Sequence, residues 1–136
     1  MTAKKKAARK AAAAPLRAQD VLPKLRQICL SFPETNERLS HGSPTFFIRD
    51  KKTFVTFVDD HHGDGILGIW CAAAPGVQGQ LVDEEPDRFF VPPYVGHRGW
   101  LGVRFDHDLD WDEIDEICAD AYRQVAPKTL IALLDD

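Results

Sequence analysis

From Asp20 onward apolar side chains recur at helical spacing, with Val21, Leu22, Leu25, Ile28, Cys29 and Phe32 marking one amphipathic helix that Pro33 terminates. The period then changes. Glu37–Ser40, Thr45–Ile48, Thr53–Val58 and Ile66–Cys71 are short runs rich in β-branched and aromatic residues, separated by polar or glycine-bearing segments, and they predict four strands. The connections are of hairpin length, so the sheet is expected to be mostly antiparallel. Strict alternation within Thr53–Val58 places Phe54, Thr56 and Val58 on one face and Val55 and Phe57 on the other.

Beyond Ala72-Ala73-Ala74-Pro75-Gly76, a short helix is expected over Val77–Glu84, anchored by Leu81 and Val82. Phe89–Tyr94 is extended and stiffened by Pro92 and Pro93. It leads to a last strand, Trp100–Phe105, with Leu101, Val103 and Phe105 on one face and Trp100, Gly102 and Arg104 on the other. Asp110 as N-cap with Glu113 three residues later opens the final long helix. Its buried stripe is Trp111, Ile114, Ile117, Cys118, Ala121, Tyr122 and Val125; Pro127 ends it, and Lys128–Leu134 adds a short terminal helix. The expected fold is α+β, a single mostly antiparallel sheet with helices packed on one face.

The chain has 136 residues, enough for one domain once a tail is subtracted. That tail is set apart by charge. Residues 1–17 hold Lys4, Lys5, Lys6, Arg9, Lys10 and Arg17 with no acid, whereas residues 18–136 hold eleven basic and twenty-one acidic residues, a net −10. The division expected is a flexible basic arm over 1–17 and one domain over 18–136. A lysine-rich arm favours polyanions through counterion release, while an acidic body opposes nonspecific contact with phosphate. Cys29, Cys71 and Cys118 are odd in number and lie in apolar stretches, so they are expected to be buried free thiols in a cytoplasmic protein. No run approaches the roughly 18 apolar residues a membrane helix needs.

Gly63-Asp64-Gly65-Ile66-Leu67-Gly68 satisfies G-x-G-x-x-G, but a strand follows it where a dinucleotide site needs a helix, so the match is a turn. Asp59–Asp64 contains His61 and His62 between carboxylates; adjacent histidines in an extended segment point apart, and the loop is expected to be polar with no metal assigned. There is no G-x-S-x-G and no C-x-x-C, no catalytic residue or cofactor is assigned, and the reading leans away from an enzyme. Tyr94, His97, Arg98 and Trp100 lie within a glycine-bearing stretch and supply stacking, donor and anion-binding groups. With His41, His61 and His62 they are the candidate small-molecule ligands. Arg49, Lys51, Lys52, Arg98 and Arg104, together with Lys4, Lys5, Lys6, Arg9 and Lys10 of the arm, are the candidate nucleic-acid contacts.

His41-Gly42-Ser43-Pro44-Thr45-Phe46-Phe47, Lys51-Lys52 before Phe54, Phe89–Val103, and Trp111 followed by Ala121-Tyr122 and Ala126-Pro127-Lys128 resemble the MmcQ/YjbR family over about residues 18–134. The resemblance implies a CyaY-like α+β fold and a DNA-binding role through paired hairpin wings. It supplies no catalytic residue. Three functions therefore stand as expectations: weak, largely nonspecific DNA binding; a small-molecule or anion-binding pocket around Tyr94–Trp100; and a protein-interaction module whose acidic helix meets a basic partner.

Overall fold

The computed structural model describes residues 15–105 and 108–134. Lys4, Lys5, Lys6, Arg9 and Lys10 lie outside them. Helix α1 (Ala18–Cys29) begins two residues before Asp20, because Asp20 serves as a cap: its Oδ2 accepts from the Arg17 backbone N–H at 2.9 Å. It ends before Phe32, where Leu30 N–H reaches Arg26 O and the Ser31 hydroxyl donates to Ile28 O, closing the last turn ahead of Pro33. Val21, Leu25 and Cys29 form its buried stripe.

Strands β1 (Thr35–Ser40), β2 (Ser43–Ile48), β3 (Lys52–Asp59) and β4 (Leu67–Cys71) form a meander, followed by α2 (Val77–Glu84), β5 (Phe89–Phe90), β6 (Leu101–Arg104), α3 (Trp111–Val125) and α4 (Lys128–Leu134). The order across the sheet is β1-β2-β3-β4-β6-β5, and every neighbouring pair is antiparallel. Phe89–Phe90, read from sequence as merely extended, is a short edge strand pairing with Val103 and Gly102. Pro92, which cannot extend a hydrogen-bonded ladder, follows shortly after.

Alternation fails in β3. Phe46 pairs with Val55 but Phe47 pairs with Thr53, which leaves Phe54 as an extra residue in its strand, a β-bulge. Phe54 consequently turns toward the helices, its ring 5.6 Å from that of Tyr122 and 6.1 Å from that of Phe32, while Thr56 faces the other way. The expected shared face of Phe54 and Thr56 is thereby corrected. The aromatic trio joins α3, the α1–β1 turn and the sheet; the Tyr122 hydroxyl, in a fully buried residue, donates to Pro33 O at 2.7 Å, and burial raises its pKa.

Helices α1 and α3 cover one face. Ile114, Cys118, Ala121 and Tyr122 of α3 are buried there with Phe46, Val55, Ile69, Leu101, Val103 and Phe105. Cys29, Cys71 and Cys118 are free and buried, and desolvation pushes the thiols of Cys29 and Cys71 well above their ordinary value, which keeps them protonated. Asp110 caps α3 as its spacing predicts, accepting from Asp112 N–H at 3.0 Å and Glu113 N–H at 3.3 Å. Among the described residues no helix is long and apolar enough to cross a membrane.

Candidate functional site

The opposite face of the sheet carries Thr45, Thr56 and Trp70 toward a cavity. Register aligns Thr45, Thr56, Trp70 and Gly102 in one row across β2, β3, β4 and β6, with Phe90 of β5 beyond. A Cβ at Gly102 would come within 2.4 Å of the Phe90 ring, so the missing side chain is what lets that ring lie flat over the strand. Three connections fold over the row: the β1–β2 turn with His41, the β3–β4 loop with its 3-10 turn His61–Gly63, and the segment before β6 with the 3-10 turn Gly96–Arg98. Together they enclose a cavity of about 480 Å³.

Its lining comprises Ser40, His41, Ser43, Thr45, Thr53, Thr56, His61, His62, Trp70, Tyr94, Val95, Arg98 and Trp100. Six of the seven ligand candidates named from sequence thus converge, although they come from chain segments up to sixty residues apart. His97 does not line the cavity and is exposed. Sequence reasoning passed over Trp70 and the hydroxyl floor of Thr45, Thr53 and Thr56. The Gly68–Trp70 alternation within β4 was the available signal for Trp70, but an indole in an apolar strand reads first as core. The threonines needed the bulge in β3 before their common face could be known.

The loops over the cavity are pinned. Asp60 Oδ1 accepts from Gly65 N–H at 2.7 Å, Asp64 Oδ1 from Ile66 N–H at 2.9 Å, and Asp60 N–H donates to Ile66 O at 2.8 Å. Both carboxylates that flank the histidine pair are therefore engaged in shaping the loop. This sets the His61 ring edge-on to Trp70 (5.0 Å, 77°) and to Tyr94 (5.8 Å, 83°). From α2, the Gln78 amide donates to Gly96 O at 2.9 Å and Trp100 O at 2.7 Å, fixing the segment that carries Arg98. Three lining residues, His41 (φ 52°), His62 (φ 50°) and Tyr94 (φ 66°), occupy the left-handed region, where non-glycine backbone is disfavoured.

Two lining residues, His61 and Trp70, each carry a buried ring nitrogen without a hydrogen-bond partner among the described residues, His61 Nε2 and Trp70 Nε1. The two rings stand edge-on to each other, so these nitrogens are packed among the aromatic side chains that wall the cavity. Arg98 places its guanidinium carbon 5.2 Å from the Trp100 ring centre. No group of three or more His, Cys, Asp or Glu among the described residues is placed to hold a metal ion.

The basic candidates do not gather at the cavity apart from Arg98. Arg49 is paired with Glu34 at 2.9 Å, and the neighbouring Arg38 with Asp50 at 2.7 Å; the hydrogen bonds these arginines donate hold both carboxyls below their ordinary pKa. Lys51, in the β2–β3 turn, and Lys52, the first residue of β3, are exposed. Arg104 lies 5.5 Å over the Phe90 ring. The outer face of α3 presents Asp112, Asp115, Glu116 and Asp120 along an open acidic groove.

A crystal structure of protein DR2400 from Deinococcus radiodurans, which carries the domain DUF419, superposes with a TM-score of 0.66 at 17% identity, covering 84% of this chain and 87% of that one. The likeness is one of fold. No curated protein matches the chain. Residues 30–124, from the end of α1 to the last turn of α3, match the YjbR family. That span is most of the chain, and on it the chain belongs to the MmcQ/YjbR family.

Proposed function

We propose that this protein binds a small organic molecule in the cavity over Thr45, Thr56 and Trp70 of its sheet. The observation that carries the reading is the convergence of His41, His61, His62, Trp70, Tyr94, Arg98 and Trp100 on one cavity of about 480 Å³. Ligand sites commonly span roughly 300–1,000 Å³ and combine apolar walls with a few convergent polar groups. Both features are present. The test is a thermal-shift screen of the full chain against a fragment panel of neutral, cationic and anionic compounds, repeated on Thr56→Phe, which fills the cavity floor with a residue suited to a strand. At least one fragment should raise the Tm of the wild type and leave Thr56→Phe unmoved. A panel without a hit, or hits indifferent to the substitution, would overturn the reading.

A second reading is weak, largely nonspecific binding of duplex DNA. It is supported by the exposed Lys51 and Lys52 at the β2–β3 turn and by the six basic residues of 1–17. Such binding weakens steeply with salt as condensed ions are released. Titration of duplex DNA at rising salt should show a negative slope that deletion of residues 1–17 makes shallower. Absent binding, or affinity indifferent to salt, eliminates this second function.

A further inference from the structure

We infer that the cavity takes a planar aromatic anion, a ring system bearing a carboxylate or a phosphate. The inference rests on the ligand-binding reading above and adds to it a charge and a shape.

The charge comes from what lines the space. Arg98 is there, and the lining contains no aspartate or glutamate. Elsewhere on the domain Arg26, Arg38, Arg49 and Arg88 each hold a carboxylate; among the described residues Arg98 has no ion-pair partner and rests against the Trp100 ring. An arginine braced on an indole with its donor fork open is suited to the two-oxygen edge of a carboxylate or phosphate. A cationic ligand would find no counter-ion in the same walls.

The hydrogen-bonding sense agrees. The Arg98 guanidinium, exposed at the cavity mouth, can only donate. It calls for acceptor atoms on the ligand, and the hydroxyls of Thr45, Thr53 and Thr56 can serve either sense.

Shape comes from the aromatic walls. Trp70 and Tyr94 lie 6.2 Å apart at 56°, with the His61 ring edge-on to both. Tyr94 is 67% exposed, so one flat face of the rim is open to a ring entering from solvent. The volume far exceeds what a bare inorganic anion fills, which is why the anionic group must be carried by something larger.

Isothermal titration of the full chain tests this with adenosine monophosphate and 4-hydroxybenzoate as the two sources of an aromatic anion. Adenosine, tyramine and inorganic phosphate are the neutral, cationic and ring-free counterparts. One of the two anions should bind at a single site at least about tenfold tighter than its uncharged or cationic counterpart and than phosphate, and which one does so distinguishes a nucleotide from an aromatic acid. Arg98→Leu, at an exposed position, should weaken that anion at least about tenfold and its counterpart less than about twofold. Tyr94→Ala, which removes the exposed ring of the rim, should weaken it about threefold or more. Equal or tighter binding of adenosine or tyramine, or an anion affinity unmoved by Arg98→Leu, overturns the assignment while the cavity reading stands. Failure of both anions alongside fragment hits that depend on Thr56 has the same consequence. Failure of both with no hits in the panel sinks the two readings together.

Discussion

Phe54→Ala is expected to lower the unfolding free energy by about 3–5 kcal/mol, the cost of emptying a fully buried aromatic site, and to leave any cavity ligand bound with little change in affinity. Phe54 is completely buried between Phe32 and Tyr122 on the helix-covered face. Its removal strips a ring from both partners and opens a void where α3 meets the sheet. The neighbouring Thr56→Ala removes only a half-buried hydroxyl and methyl from the opposite face, so it should cost less than about 1 kcal/mol. Urea unfolding of both variants checks the contrast. A loss below about 1 kcal/mol for Phe54→Ala would show that the bulge does not turn this side chain into the core.

Gly68→Ala is expected to destabilise the protein by about 3 kcal/mol or more. An added Cβ would stand 2.0 Å from the carbonyl oxygen of Val103 and 3.0 Å from its carbonyl carbon. These are backbone atoms of β6, paired to β4 at the centre of the sheet, so relief requires the two strands to separate. Gly102→Ala provides the comparison. Its Cβ meets only the ring of Phe90, a side chain on the two-residue edge strand that can turn aside, and the loss should be smaller. Equal urea midpoints for wild type and Gly68→Ala would contradict the close approach of β4 and β6.

Much of the architecture is local in origin. Asp110 and Glu113 mark the start of α3 because a cap bond spans two or three residues, and the β1–β2 and β2–β3 hairpins follow from turns short enough to allow only antiparallel return. Residue types suited to a pocket were also visible in Tyr94, Arg98 and Trp100. The exclusion of His97 was not, because neighbouring residues in a 3-10 turn point in different directions and only the packed segment decides which one faces inward.

The amino-acid pattern by itself determined the order of helices and strands other than β5, the buried stripe of α3 and the thiol-bearing core, since each depends on side-chain spacing within a few residues. Tertiary structure alone decided that Phe54 and Thr56 part company, that Phe89–Phe90 closes the sheet edge, and that His41, His61, Tyr94 and Arg98 meet over Trp70. A bulge is a relation between two strands, and a cavity is a relation among three loops. Neither has a periodic signature in the chain that forms it.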